Sequence, residues 1–210
     1  VVEIQVLAGF VDTSRQDWFA TGVNFPYIHE LYNTNPMLQN NDIALLELTE
    51  MLPIDGLKIA PIEVRDTPVT AGTCCIISGW GRLHEDGDSS NILQYASVPI
   101  LDTTECNYLL TDEIGSGEIC AGYLSGGTDS CQIYSGGPLM CEGKLTGIVS
   151  WGYGCARKNL PGVYADVYSY RDWIIDKIGH QELLKLEKTR IQCFNNTVTN
   201  RLTTYPFLPN

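Results

Sequence analysis

Short apolar runs separated by turn-forming residues make up the first 167 positions of the chain. Runs of strand length at this spacing, with Gly, Pro, Asn and Asp clustered between them, are typical of β-sandwiches and β-barrels. The pattern therefore predicts an all-β chain, with strands at residues 5–7, 18–25, 42–48, 75–80, 93–101, 118–123, 138–141, 145–151 and 162–167.

A helical pattern follows the last of these runs. Ser169 and Asp172 have the spacing of a capping box, in which two side chains satisfy backbone N–H groups at the start of a helix. An apolar helical face then follows at Trp173, Ile174 and Ile178. Gly179 could end this helix, although the residues after it, QELLKLEKTR, also favour a helix. We predict a C-terminal helix over residues 168–188 and a tail over residues 189–210.

Composition and charge favour a folded, acidic protein without a membrane-spanning helix. Of the 210 residues 44% are hydrophobic, with four Trp and eleven Tyr, which excludes a wholly disordered chain. No apolar run approaches the roughly 20 residues that a membrane-spanning helix needs. Asp and Glu number 25 against 13 Lys and Arg, a net charge of −12. We therefore expect no nucleic-acid or membrane partner, whereas basic ligands would be attracted at long range.

The chain has eight cysteines and only three histidines, which favours disulfide bonds over a zinc site. No two cysteines have the C-x-x-C spacing of a zinc site, and their broad distribution is typical of disulfides in secreted proteins. Asn195-Asn196-Thr197 is a glycosylation sequon, which fits the same compartment. The first ten residues lack the features of a signal peptide, so we expect a mature chain or one whose front is missing. We expect a secreted, extracellular glycoprotein.

Ser135 lies in a tight S-G-G-P turn, and Asp129 precedes it by six residues. A serine on a glycine turn presents its hydroxyl openly, and neighbouring backbone N–H groups can converge on one point, as an oxyanion hole requires. Taken alone, such a motif is more often a structural turn, and an isolated aspartate is more often a surface-loop residue. The interpretation therefore depends on the surrounding sequence.

The surrounding sequence, from residue 117 to residue 174, resembles the trypsin-like serine peptidases of the chymotrypsin fold. The resemblance extends to NNDIALLEL and CCIISGWGRL and covers roughly residues 4–175. It implies a double antiparallel β-barrel of chymotrypsin/trypsin type, with the active site between the barrels and a C-terminal helix. We assign residues 1–60 to an incomplete first barrel, and residues 61–167 to a second barrel with the specificity pocket.

The resemblance implies catalytic roles for three residues. Ser135 matches the nucleophile, and Asp42 matches the acid that orients and charge-balances a catalytic histidine. The backbone N–H groups of Ile133 and Ser135 match those of the oxyanion hole.

The resemblance also implies the residues that recognise a substrate. Asp129 matches the carboxylate at the base of the primary specificity pocket, which pairs with Arg or Lys. Gly152 and Gly162 match small residues on the pocket walls, and Ser150, Trp151 and Gly152 match the strand segment that pairs with substrate backbone. A buried carboxylate without a partner is costly, so a cationic guest is its natural complement. The implied partner is a peptide or protein with an Arg or Lys side chain.

Three disulfides follow from the same resemblance. They pair Cys75 with Cys141, Cys106 with Cys120, and Cys131 with Cys155. The remaining two cysteines have no counterpart in the family and could pair with each other, bind a partner segment or remain free: Cys74 and Cys193.

No metal and no cofactor is expected from the resemblance. The segment AGFVDTSRQDWF matches the family's calcium loop but contains no glutamate. Pro161 stands where sodium-sensitive members carry a tyrosine.

Departures from the family pattern affect catalysis. The family's catalytic histidine precedes the strand at residues 5–7, and this chain has no histidine there. Ile133 replaces the oxyanion-hole glycine, and a β-branched residue resists the positive φ that such a glycine often adopts. Tyr134 replaces the aspartate that pairs with the new amino terminus after zymogen cleavage, and that terminus is absent as well. The histidines of the chain match other positions: His29, His84 and His180.

Three functions from different classes remain open. The sequence favours a secreted family member that recognises Arg or Lys side chains and is catalytically inactive or strongly impaired, a pseudoprotease. The alternative is an active endopeptidase cleaving after Arg or Lys, whose N-terminal segment is absent from this sequence or supplied by a partner chain. The third is an interaction protein in which only the second barrel and the helix persist.

Overall fold

The computed structural model describes residues 4–32, 40–82, 87–111, 114–126, 135–154 and 157–179. Strands dominate these residues, and a short helix follows the last strand, as predicted. The strands are β1 (Gln5–Ala8), β2 (Phe19–Ile28), β3 (Ala44–Leu48), β4 (Glu63–Val64), β5 (Cys74–Gly79), β6 (Gln94–Pro99), β7 (Glu118–Ala121), β8 (Pro138–Cys141), β9 (Lys144–Trp151) and β10 (Gly162–Asp166). The helices are α1 (Thr103–Leu109) and α2 (Arg171–Ile178).

The strands form two sheets. Strands β1, β2 and β3 make a three-stranded antiparallel sheet in chain order. The second sheet has the order β6-β5-β8-β9-β10-β7, with the short β4 parallel to β9. Ile100, directly after β6, bridges to Ala121 in β7. This bridge joins the two ends of the strand order, so the second sheet curls into a barrel.

Strand β5 shows how the sequence pattern builds the core of this barrel. Cys75 and Ile77 are fully buried, whereas Cys74 and Ile76 are exposed, as the two-residue period of a strand requires. The buried side chains pack with residues of the neighbouring strands, among them Val98, Leu139, Val149 and Tyr164.

A second apolar cluster joins the two sheets. Ile43, directly before β3, is buried against residues of β10, of α2 and of the segment between them: Ala165, Val167, Tyr170 and Ile174. Because Ile43 follows Asp42 in the chain, this packing holds the Asp42 segment against the second barrel.

Two disulfides lie within the second half of the fold. Cys75 is bonded to Cys141, which links β5 to β8, and Cys106 is bonded to Cys120, which links α1 to β7. These are the pairs that the resemblance implies. Cys74 is a free, exposed thiol. The other cysteines lie outside the described residues: Cys131, Cys155 and Cys193.

The structure corrects both predicted ends of the C-terminal helix. α2 begins at Arg171, and no side chain caps its start. The Ser169 hydroxyl donates instead to Asp166 Oδ2 at 2.6 Å, so the predicted capping box is wrong. The helix ends at Ile178, because Gly179 adopts φ +79° and leaves the helical conformation. A continuous helix to residue 188 is therefore wrong, and residues 180–188 lie outside the described part.

Helix α1 and strand β4 are absent from the predicted elements. α1 has seven residues, too few for a helical period to show, and its clearest signal is the cap at Asp102. Asp102 Oδ1 accepts the N–H of Thr104 at 2.8 Å. Within the described ranges, neither helix is long and apolar enough to cross a membrane.

The three-stranded sheet exposes large apolar side chains. Phe25 and Ile28 on β2 are 54% and 59% exposed, and Leu46 on β3 is 45% exposed. Pro26 lies opposite Leu46, and Ile28 lies opposite Ala44. Two of these side chains, Ile28 and Leu46, line a cavity between the three-stranded sheet and the second sheet.

Candidate active site

Asp42 lies in a tight turn that leads into β3. The preceding Asn41 has φ +60°, and the Ile43 N–H donates to the Asn41 carbonyl at 2.9 Å, so Asp42 is the middle residue of a three-residue turn. The Asn41 N–H donates to the Tyr170 hydroxyl oxygen at 3.1 Å. The left-handed conformation of Asn41 is therefore held from the segment that precedes α2.

The carboxylate of Asp42 is bonded to the second barrel. Ser150 Oγ, on β9, donates to Asp42 Oδ2 at 2.7 Å, and Ser150 is buried. A hydrogen bond to an ionised acceptor is about twice as strong as a neutral one. Ser150 and Asp42 both come from the predicted site, and the structure brings them together.

Ser135 is exposed at the turn that leads into β8. The Gly136 N–H donates to the Val149 carbonyl at 2.8 Å, and the Val149 N–H donates to the Gly137 carbonyl at 2.9 Å. Gly136 has φ +86°, a conformation that glycine adopts without strain. These bonds fix the glycine turn on β9, so the serine hydroxyl is held at the surface.

Asp42 and Ser135 line one cavity between the two halves of the fold. The cavity has a volume of about 520 Å³. Its walls are mostly apolar and include Ile28, Tyr32, Ile43, Ala44, Leu46, Ile148 and Val149. The cavity thus places a carboxylate and a hydroxyl at one apolar site, two of the three groups that nucleophilic serine catalysis uses.

His29 does not line this cavity. Its ring packs against Tyr170 and Trp173, with centroid separations of 5.5 and 5.0 Å, and its Nδ1 accepts the Leu31 N–H at 3.2 Å. His84 and His180 lie outside the described residues. Within the described part of the chain, the cavity therefore has a carboxylate and a serine but no imidazole.

The predicted substrate-pairing segment continues β9 past Ser150. Trp151 is half-buried, and its ring contacts Tyr153 edge-to-face at 5.7 Å. A Cβ atom on Gly152 would lie 3.8 Å from the Gly162 Cα, so the two predicted wall glycines are neighbours. The other predicted specificity and oxyanion residues lie outside the described part: Asp129 and Ile133.

Glu118 was missed by the sequence analysis. It is buried at the start of β7, and it binds two N–H groups. Oε1 accepts the indole N–H of Trp151 at 2.8 Å, and Oε2 accepts the backbone N–H of Gly115 at 2.7 Å. Glu118 is the first residue of a mostly apolar strand. Its position could have indicated a role, because a buried carboxylate needs hydrogen-bond partners.

Tyr170 was also missed. Burial raises the pKa of its phenol, so the hydroxyl stays protonated at neutral pH. The ring reaches Gly117, where φ is +91° and a Cβ atom would lie 2.6 Å from the Tyr170 oxygen. Glycine is therefore required for this close approach. Tyr170 is not part of a recognisable sequence motif. Its role as acceptor for the Asn41 N–H is seen only in the folded structure.

Among the residues that the structure describes, no three His, Cys, Asp or Glu side chains cluster closely enough to hold a metal ion.

The chain is similar in sequence to known serine peptidases. The family described as Trypsin matches residues 3–174. Trypsin I-P1 of Gallus gallus is 41% identical over 174 residues, which are 81% of this chain and 69% of that protein. Putative trypsin-6 of Homo sapiens is 46% identical over 152 residues, 72% of this chain and 60% of that protein.

A solved structure shows the same fold. It is neuropsin, a serine protease expressed in the limbic system of mouse brain, with a TM-score of 0.78 and 34% identity. The match covers 84% of this chain and 79% of that one. The predicted fold of chymotrypsin type is confirmed, with two curled antiparallel sheets and a short C-terminal helix.

Proposed function

Since the chain belongs to the trypsin family of serine peptidases, we propose that it is a secreted protein that binds peptides through Arg or Lys side chains and hydrolyses them weakly or not at all. The cavity that holds Asp42 and Ser135 carries this proposal, because no imidazole lines it in the described residues. A serine hydroxyl without an adjacent base is a weak nucleophile at neutral pH.

The sequence at the nucleophile supports impaired catalysis further. The motif reads Q-I-Y-S-G-G, so a β-branched Ile133 stands at one oxyanion-hole position and Tyr134 stands beside the serine. Loss of one oxyanion donor costs on the order of 10²–10³ in rate. An Ile at this position favours that loss, because positive φ is strained for a β-branched residue.

Recognition of basic side chains rests on Asp129 and on the overall charge. Asp129 matches the specificity-pocket carboxylate of the family, and the net charge of −12 attracts cationic ligands. Gly152 and Gly162 are neighbours in the fold and carry no side chains, which supports their role as pocket walls that leave room for a long side chain.

Labelling and turnover test the loss of catalysis. A fluorophosphonate probe should label Ser135 slowly, and turnover of an Arg-type fluorogenic substrate should fall on the order of 10⁶-fold below that of an intact triad. Ser135→Ala sets the background. Rapid labelling with robust turnover by this chain would contradict the proposal.

Benzamidine binding tests the recognition of cations. The chain should bind benzamidine, and Asp129→Asn should weaken binding roughly 100-fold, because the cation loses its charged partner. Absence of benzamidine binding by the unmodified chain would refute recognition of basic side chains.

A second candidate function is supported by the exposed apolar side chains beside the cavity. Ile28 and Leu46 line the 520 Å³ cavity and are exposed, so a further segment could pack there and place a histidine between Asp42 and Ser135. This candidate is an active endopeptidase that cleaves after Arg or Lys. A longer product bearing such a histidine, identified by intact mass and hydrolysing Arg substrates rapidly, would establish it over the first proposal.

A further inference from the structure

Two consecutive residues of β9 each donate a side-chain hydrogen bond to a carboxylate from another part of the chain. Ser150 Oγ donates to Asp42, and Trp151 Nε1 donates to Glu118 at 2.8 Å. The first bond involves two residues of the predicted site, and the second involves a residue with no assigned role. The strand segment expected to pair with a peptide is thus held on both sides by carboxylates.

Glu118 is suited to this position by having two acceptor oxygens. Each oxygen receives one N–H group, from Trp151 and from Gly115, at 2.8 and 2.7 Å. Only 8% of Glu118 is exposed, so the two donors compensate a carboxylate that water reaches poorly. A glutamine side chain has one acceptor and one NH₂ donor, so it can satisfy only one of the two N–H groups.

The indole that Glu118 holds is half-exposed beside the substrate-pairing strand. One part of Trp151 packs on Cys106, Leu110, Cys120 and Val163, and its ring also contacts Tyr153, which is 46% exposed. A half-buried ring with one fixed N–H has a single preferred orientation, and a hydrogen bond to a carboxylate holds it more strongly than a neutral acceptor would.

We propose that Glu118 is a positioning residue for peptide binding: by accepting the indole N–H of Trp151, it fixes the aromatic wall against which a bound peptide lies. The inference rests on the proposed function, because it assigns the peptide to the segment Ser150 to Gly152. Glu118 itself is buried at the ring edge that carries the N–H, and it acts on the peptide only through Trp151.

The test compares Glu118→Gln with a matched control elsewhere in the chain. Trp173 Nε1 donates to Glu30 at 2.8 Å, so Glu30→Gln alters an indole–carboxylate bond between two residues that do not line the cavity. Indole N–H resonances of the four Trp residues are recorded for each variant, and Trp151→Phe identifies the resonance of Trp151. Glu118→Gln should shift the Trp151 resonance and speed its exchange with solvent, and Glu30→Gln should affect the Trp173 resonance instead.

Binding is measured with two ligands of different length. We expect a blocked tripeptide amide with Arg at its C-terminal end to contact the Trp151 wall, and benzamidine to occupy the cation pocket alone. Glu118→Gln should weaken the tripeptide roughly three- to tenfold and leave benzamidine unchanged. The loss is smaller than the full strength of a charge-assisted hydrogen bond, because the peptide contacts the ring and not the bond itself. In a Trp151→Phe background, Glu118→Gln should have no further effect, and Glu30→Gln should change neither affinity.

The outcomes separate this inference from the proposed function. An unchanged tripeptide affinity, or an equal loss for both ligands, would overturn the positioning role, because a general structural defect affects both. A wild-type chain that binds neither ligand would instead overturn the proposed function and, with it, this role for Glu118.

Discussion

The carboxylate of Asp42 is held by contacts from three separate parts of the chain. Ser150 on β9 donates to it, Tyr170 accepts the N–H of the preceding residue, and Ile43 is buried under α2 and β10. A resemblance between sequences identified Asp42 because the motif surrounding it is local. It could not identify Tyr170, which lies 129 positions from its bonding partner Asn41.

Removal of the Tyr170 hydroxyl tests this arrangement at the level of one atom. Tyr170→Phe leaves the Asn41 N–H without its acceptor in a partly buried turn, so we expect the free energy of unfolding to fall by about 1 kcal/mol. Urea denaturation measures the change. Tyr168→Phe, at a more exposed ring, is the matched control and should change stability by less than about 0.5 kcal/mol. Equal effects of the two substitutions would contradict the role of the bond.

At the level of elements, α2 shows where the sequence pattern was informative and where it failed. The apolar face at Trp173, Ile174 and Ile178 predicted a helix, and a helix forms there. Its start was mispredicted, because Tyr170 and not Ser169 precedes the first helical residue, no side chain caps the helix, and the Ser169 hydroxyl donates to Asp166. The orientation of the Ser169 hydroxyl is set by Asp166 at the end of β10, and the spacing of Ser169 and Asp172 along the chain does not show this bond.

The attachment of α2 to the loop after β2 should depend on pH. Lys177 lies 2.6 Å from Glu30 and lowers the pKa of that carboxyl to about 2, with a further contribution from the Trp173 indole N–H. A lowered pKa in the folded state means that the ionised form stabilises the fold. This contribution is complete above about pH 4.5, the ordinary value, and is lost as the pH falls toward 2.

Denaturation as a function of pH measures this contribution. The stability difference between the wild type and Glu30→Gln should be largest above pH 4.5 and should shrink to nothing near pH 2. A difference that stays constant over this range would exclude ionisation of Glu30 as the cause.

At the level of the whole molecule, the second barrel is the more strongly braced half. Both disulfides that the structure describes lie in it, and its sheet is closed by the bridge between Ile100 and Ala121. The three-stranded sheet has no such closure among the described residues and exposes Phe25, Ile28 and Leu46. The family resemblance predicted both halves, because motif residues are spread over most of the chain.

Separate removal of the two disulfides should destabilise the fold unequally. The Cys75–Cys141 bond closes a loop with a sequence separation of 66, and the Cys106–Cys120 bond closes one of 14. Chain-entropy estimates give losses of about 4 and about 3 kcal/mol when each pair is replaced by alanine. Urea denaturation of the two double variants checks the order, and a larger loss for the shorter loop would contradict it.

The turn at Asp42 has a consequence for how this fold can change. Although Asp42 precedes β3 in sequence, its carboxylate is bonded to Ser150 on β9. On either side of it, Asn41 is bonded to Tyr170 before α2, and Ile43 packs beneath that helix. The position of the carboxylate is therefore fixed by contacts with the second barrel and the C-terminal segment. Mutation, exchange or remodelling of the three-stranded sheet could proceed while this acid keeps its orientation toward β9. Evolution or protein design could therefore change the three-stranded sheet while Asp42 keeps its position.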